Sequence, residues 1–241
     1  MAIEDLSTYT EVDPYSNLTV TSSRCTVATM GSNYDVYLRA DKGANHFGDF
    51  IHQVTAEFTS SNGTKWCLNG LWALTGSAGV VSLADMDSLG EGLLVYHIKT
   101  TIYIQWVIKD FTNDNYDIWY GASFATPYYM TIERSGTTMT CKIYFDSGRT
   151  ILLDTLSIVC GGQAYRYIFA TQGHGSIETG RYYSGYVDGL DLQEVVLSEA
   201  PADNPFIPRL LRPVVAVRTV HENTAGAMRI IKDGTEGKVV H

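Results

Sequence analysis

The sequence predicts an all-β protein, an antiparallel sandwich or barrel of ten or more short strands. Three observations carry this. From about residue 35 to residue 192 apolar and polar residues alternate with period two, the signature of strands with one buried face. Gly, Asn, Asp and Ser clusters punctuate the alternation at the spacing of tight turns. Helical periodicity is almost absent, and 16 tyrosines favour strands over helices.

Each element follows in order. Val36, Leu38 and Ala40 share one face of the first strand. Phe50, His52, Val54, Ala56 and Phe58 share a face of the next, with Gln53, Thr55 and Glu57 opposite. Leu94, Tyr96 and Ile98 follow, then Ile102, Ile104, Trp106 and Ile108. Tyr128, Met130 and Ile132 lead into Arg134-Ser-Gly-Thr137, a hairpin signal, and Met139, Cys141, Ile143 and Phe145 form the return strand. Asp146-Ser-Gly-Arg149 is a second turn before a strand over Leu152 to Leu156. Tyr165, Tyr167 and Phe169 precede the closing strand, Tyr186 to Leu192, at the end of the segment 182–192.

With 45% hydrophobic and 18% charged residues, the chain can bury a real core. Its net charge of −9 is unevenly spread: residues 201–241 hold six basic and four acidic side chains, leaving 11 basic and 22 acidic on the first 200. An acidic body argues against nucleic acid as a partner. No apolar run approaches the ~18 residues of a membrane span, and Met1–Leu6 lacks a secretory leader, so synthesis in a cytoplasm is expected. Cys25, Cys67, Cys141 and Cys160 show no CxxC spacing and read as buried small hydrophobes rather than disulfides.

The composition changes near residue 197. Residues 198–213 hold Pro201, Pro205, Pro208 and Pro213, an extended, semi-rigid segment. Val214–Val220 reads as a strand, and residues 228–241 as a hairpin. The expected organisation is therefore a sandwich over 1–197 and an extended C-terminal arm over 198–241. Such an arm is too short to bury a core alone. Pro205, Phe206, Arg209, Arg212, Val215, Val217, Ile230 and Ile231 are its candidate assembly residues, docking on another copy or a neighbouring protein.

Four segments carry a resemblance: Asp41-Lys-Gly-Ala-Asn-His-Phe-Gly-Asp-Phe50, Tyr129–Thr138, Lys142–Ser147 and Ser184-Gly-Tyr-Val-Asp-Gly-Leu190. They resemble the concanavalin A-like (laminin-G-like) jelly-roll superfamily over roughly residues 15–195, particularly uncharacterised members encoded by bacteriophages. The resemblance implies an antiparallel jelly-roll sandwich. It says little about function, because the fold hosts lectins, glycosidases, lyases and structural modules.

Catalysis is not expected. Superfamily glycosidases carry two or three acids on one strand so that acid and nucleophile flank one bond, and no such string occurs. Lyase signatures also fail: Ile51-His52-Gln53 is a faint echo, and His52 lies on the apolar parity of Phe50 and Val54, a core histidine. Two segments offer oxygen ligands of the kind calcium takes. Asp85-Met-Asp-Ser-Leu-Gly-Glu91 mimics the start of a calcium loop but lacks a ligand at the fifth position, and Tyr96 stands where the bidentate Glu belongs. Asp110, Asn113, Asp114 and Asp117 form the richer set, although turns are rich in such residues for their own reasons. No other cofactor is implied. Sugar binding needs an aromatic platform beside planar polar groups. Trp119 and Tyr120 beside Asp114 and Asp117 form one such group, and His174 with Tyr182 and Tyr183 another. The competing reading packs these rings under loops or in an interface.

The expected function is that of a non-enzymatic virion structural protein: a capsid decoration, fibre or adhesin-like component. Its arm would bind other copies or a capsid or tail protein, and its sandwich would face outward and bind surface glycans. The alternative is a stand-alone carbohydrate-binding module, with a glycosidase or lyase behind it. Neither a nucleic acid nor a membrane is an expected partner.

Overall fold

A computed structural model describes residues 3–62, 67–99, 104–175 and 181–193, together with 220–222, 228–232 and 235–237. The chain divides into two units, Met1–Val196 and Leu197–His241.

The first unit is built from two antiparallel sheets of seven strands each. One sheet contains β1 (Thr10–Val12), β4 (Tyr37–Asp41), β6 (Cys67–Thr75), β7 (Leu93–Lys99), β8 (Ile104–Asp110), β9 (Asn115–Ala122) and β13 (Tyr167–Gln172), in the order β1-β4-β13-β6-β7-β8-β9. The other contains β2 (Leu18–Val20), β3 (Arg24–Gly31), β5 (Phe50–Ser61), β10 (Pro127–Ser135), β11 (Thr138–Tyr144), β12 (Leu152–Val159) and β14 (Tyr182–Asp191), in the order β12-β11-β10-β5-β14-β3-β2. The inward parities of both meet in one core: Trp72, Leu74, Val95, Trp106, Ile108 and Ile168 from the first sheet against Val54, Ala56, Met130, Ile132, Cys141 and Val187 from the second. Period-two alternation thus places one apolar face of each sheet against the other.

Strands β5, β10 and β11 follow the expected alternation closely. Buried and partly exposed residues alternate from Phe50 to Phe58 and from Pro127 to Arg134. The Arg134–Thr137 hairpin joins Ser135 to Thr138 in register. The return strand ends one residue early. A register shift falls between Ile143 and Tyr144, and Phe145, expected on the buried face, is 56% exposed.

Five further elements depart from the sequence pattern. Strands β1 to β3 precede residue 35, where no alternation was legible. Strand β14 is last in sequence but central in space, paired with β5 on one side and β3 on the other. One helix, α1 (Leu83–Leu89), stands over most of the segment that mimics the start of a calcium loop. Ser82 caps it: its Oγ accepts from the Asp85 N–H at 3.2 Å, and Asp85 Oδ2 accepts from the Ser82 N–H at 2.9 Å. This reciprocal pair satisfies two orphan donors of the first turn. Gly90 ends the helix in the left-handed region. Glu91 accepts from the N–H groups of Gly76 and Ser77 at 2.6 Å each, so Asp85 and Glu91 both have backbone partners.

Two edge strands of opposite sheets are tied together. Asn115 Nδ2 on β9 donates to the Val159 carbonyl of β12 at 2.9 Å, and Asp117 Oδ2 accepts from the Ser157 N–H at 2.9 Å. These bonds occupy edge groups that would otherwise template pairing with another chain.

In the second unit, β15 (Val220–Glu222), β16 (Met228–Lys232) and β17 (Thr235–Gly237) form a three-stranded antiparallel sheet. Ile230 pairs with Val220 and Gly237, and Ile231 with Glu236. Pro205, Phe206, Arg209, Arg212, Val215 and Val217 lie outside the described residues.

Candidate functional site

The two outward faces of the sandwich differ in kind. On the first sheet the outward residues Tyr37, Ala73, Leu94, Tyr167 and Phe169 are buried beneath Val80, Leu83 and Met86 of the α1 segment. Arg39 closes that cover by donating to the carbonyls of Ala78 and Val80 at 3.0 and 3.2 Å. That face is a second core.

The second sheet turns a polar face outward. Its register places Lys142, Thr131, Gln53 and Asp191 in one row across β11, β10, β5 and β14. Tyr144, Tyr129, Thr55 and Asp188 form the next row. Neighbouring strands lie about 4.8 Å apart, so the two tyrosines stand side by side. All eight are partly exposed. A pocket of ≈ 460 Å³ sits at the start of β5, lined by His46, Asp49, Ile51, Glu133, Ser135 and Gln193 among others. A second, of ≈ 480 Å³, sits at its far end between Thr29, Ser60, Ser61, Asn62, Tyr182 and Ser184. Both volumes suit a small-molecule group. Ile51 and Ser60, one in each pocket, lie about 30 Å apart along the strand at the usual rise. The two pockets bracket the polar rows along β5, and this face with its pockets is termed the trough.

The acids of the trough are mostly engaged. Tyr186 donates its hydroxyl to Glu57 at 3.0 Å. Burial and this bond push the Tyr186 hydroxyl up to about 12. Arg24 lies over the Tyr186 ring at 4.1 Å and pairs with Asp188 at 2.6 Å. Asp191 accepts from the backbone and side chain of Gln193. Glu57 therefore faces a protonated phenol, and Tyr186 is a poor proton acceptor near neutrality.

No protein-family model matches the chain, and no curated protein matches it in sequence. Solved structures match in shape. A functionally unknown protein from Saccharomyces cerevisiae superposes with a TM-score of 0.55 at 8% identity, over 78% of this chain and 96% of that one. The exoplasmic/lumenal domain of VIP36, in a Ca2+- and mannose-bound form, gives 0.48 at 9% identity, over 81% and 85%. A legume lectin-like domain from Entamoeba histolytica gives 0.45 at 12% identity, over 74% and 87%.

The fold is an antiparallel jelly-roll sandwich. At these identities the likeness is one of fold. The site of this jelly roll has to be read from its own residues.

The residues singled out in the sequence are dispersed across it. Trp119 and Tyr120 lie on strand β9, not in a loop, and alternate. Trp119 packs inward, edge-on to Tyr128 at 5.4 Å, while Tyr120 is 56% exposed on the opposite face. They cannot form one platform. Tyr183 is fully buried in the core, so it lines no surface site. Tyr182 does line the far pocket of the trough. His174 follows β13 of the other sheet, its carbonyl accepting from the Ala84 N–H at 2.9 Å, and burial holds its imidazole below the usual range.

The calcium set is also not assembled. Asp110 is fully buried and accepts from Thr112 N at 2.8 Å, Asn113 Nδ2 at 2.6 Å and Gly161 N at 3.0 Å. Asp117 holds the β12 edge, and Asp114 pairs with Lys109 at 3.1 Å. These oxygens already have N–H partners. Among the described residues no group of three or more His, Cys, Asp or Glu is placed to hold a metal ion.

His52 is buried, accepts from Trp72 Nε1 at 3.1 Å and is held down to about 3 by burial. Cys25, Cys141 and Cys160 are buried free thiols. Sequence reasoning missed the trough itself. Its signal was present in the polar half of the alternation, Gln53-x-Thr55-x-Glu57 and Tyr129-x-Thr131-x-Glu133, which combines amide, hydroxyl, aromatic and carboxylate groups on one face.

Proposed function

We propose that this protein is a carbohydrate-binding module whose glycan lies in the trough of the second sheet. One observation carries the reading. The face is uncovered by the protein's own helix, and it is lined by Gln53, Thr55, Tyr129, Thr131 and Tyr144 between the two pockets. Tyrosine faces pack on the C–H faces of pyranose rings, and amide and hydroxyl groups match their hydroxyls. A site spanning both pockets favours an extended oligomer over a single ring.

The same geometry supports binding rather than catalysis. Glu57, Asp188 and Asp191 are each engaged by a neighbour, and Tyr186 retains its proton. Isothermal titration of the protein against a polysaccharide panel tests the reading. Wild type is expected to bind at least one polymer, and Tyr129→Ala to weaken it about tenfold or more, by analogy with ring–ring stacking energies. A chain-shortening activity on any bound polymer would replace the binding reading with an enzymatic one.

Assembly into a virion through residues 198–241 is a separate proposal. It is supported by the four prolines and the charge contrast with the acidic body. Deleting 198–241 tests it: a truncated protein that still oligomerises, or still joins its particle, removes the arm from that role.

A further inference from the structure

The turn between β11 and β12 aims a cation at the trough. Asp146 builds it by accepting from Thr150 N at 2.9 Å, Thr150 Oγ1 at 2.9 Å and Ile151 N at 2.6 Å. Within it Arg149 takes φ +53°, a left-handed conformation that disfavours side chains other than Gly, Asn and Asp. Asp146-Ser-Gly-Arg149 carries a glycine one position earlier, yet the strained position holds an arginine.

Its side chain is half-buried, and its charge is felt by Tyr144, Asp191 and Tyr129. Arg149 sits in the turn that follows β11, five residues past Tyr144, so it stands at the end of the Tyr144–Tyr129 row. Its Nε is shielded from solvent and has no hydrogen-bond partner. Nor does Arg149 form an ion pair among the described residues. The two acids near it are committed elsewhere: Asp191 to Gln193, and Asp146 to the turn. Lys142, partly exposed in the row beside Tyr144 and Tyr129, also has no ion pair among the described residues. A shielded Nε–H without an acceptor is costly, and here it is held on a left-handed backbone. Such a combination is kept where a ligand supplies the missing acceptor.

We propose that the trough takes an anionic saccharide, with Arg149 and Lys142 receiving a carboxylate or sulfate group on it. This rests on the glycan-binding reading above and names its ligand class. The guanidinium offers a fork of donors to a planar oxyanion, with Lys142 adding a point charge. Two cations without an ion-pair partner among the described residues, in a chain of net charge −9, favour an anion locally while the body repels it at range.

The test is binding of the full chain to a neutral glucan, a polyuronate and a sulfated galactan, with wild type, Arg149→Gly, Arg149→Gln and Lys142→Gln. Wild type is expected to prefer one acidic polymer, the polyuronate if the group is a carboxylate and the galactan if it is a sulfate. Both Arg149 variants should weaken that binding about 10- to 100-fold, as for loss of a charge-assisted hydrogen bond. Arg149→Gly relieves the left-handed strain, so its melting midpoint should be unchanged or higher, which separates lost binding from lost folding. Equal binding of the neutral glucan, unaffected by Arg149→Gly, overturns the anionic subsite and leaves the glycan reading standing. Binding of none of the three, with a neutral polymer bound from a wider panel, does the same. No binding to any polysaccharide overturns both.

Discussion

Replacing Asp110 by alanine separates a structural carboxylate from a calcium ligand. Asp110 is fully buried and gathers three donors: Thr112 N, Asn113 Nδ2 and Gly161 N. The last bond spans from the end of β8 to the segment after β12, so it closes one end of the sandwich. Asp110→Ala leaves these donors without their acceptor. Each such loss costs about 1–3 kcal/mol, but the side of the loop bearing Thr112 and Asn113 is exposed and water can replace part of it. The expected loss is about 3–5 kcal/mol, a large share of the usual 5–15 kcal/mol of a domain. Urea unfolding followed by tryptophan fluorescence measures it, because Trp72 and Trp106 are buried in the core. The titration is run in EDTA and in 1 mM calcium. A calcium site with Kd near 10 μM would stabilise wild type by about 2.7 kcal/mol, and Asp110→Ala would erase that increment. The latch reading expects no calcium increment and the full loss in EDTA. A calcium increment that vanishes in Asp110→Ala, or a loss below about 1 kcal/mol, refutes it.

Stability should fall in mild acid. Burial holds His52 and His97 at about 3, below the ordinary ~6.5. The unfolded chain then binds protons that the folded chain refuses, so stability is full above the unfolded pKa and is lost as pH falls toward the folded one. The expected loss is about 2 kcal/mol per histidine by pH 5, and stability that stays flat from pH 7 to 5 contradicts it. Gly173→Ala should lower the melting midpoint sharply, because its Cβ would stand 2.3 Å from the Tyr34 carbonyl oxygen, a backbone clash that side-chain movement cannot relieve. An unchanged midpoint contradicts that geometry. Cys25 and Cys141, buried and pushed up to about 12 by desolvation, should resist alkylation at pH 8 in the native protein and react in urea. Mass spectrometry of the alkylated peptides reads this directly.

The fold was legible where alternation was strict. Phe50–Phe58 and Tyr128–Ile132 announce their buried faces because a one-residue slip would expose every apolar side chain. The position of β14 was not legible, since pairing order depends on long-range contacts that a local pattern does not contain. Helix α1 was not read as a helix, because Asp85 and Asp87 drew attention from Ser82-Leu-Ala-Asp85, which is a capping box with aspartate in the acidic position. The site was misplaced for a related reason. Trp119 and Tyr183 are the large amphipathic rings that sugar sites use, but such rings also fill cores, and burial cannot be read from residue type. What marks the trough is a set of modest residues, Gln53, Thr55, Thr131 and Tyr129, brought into line only by strand register.

The most direct measurement compares glycan affinity across both faces of the sandwich. Tyr129→Ala and Gln53→Ala probe the trough, and Tyr120→Ala, exposed on β9 of the other sheet, probes the face favoured by sequence alone. The account expects both trough variants to weaken binding about tenfold or more while Tyr120→Ala binds as wild type. Binding that survives Tyr129→Ala and Gln53→Ala but is lost in Tyr120→Ala would contradict it.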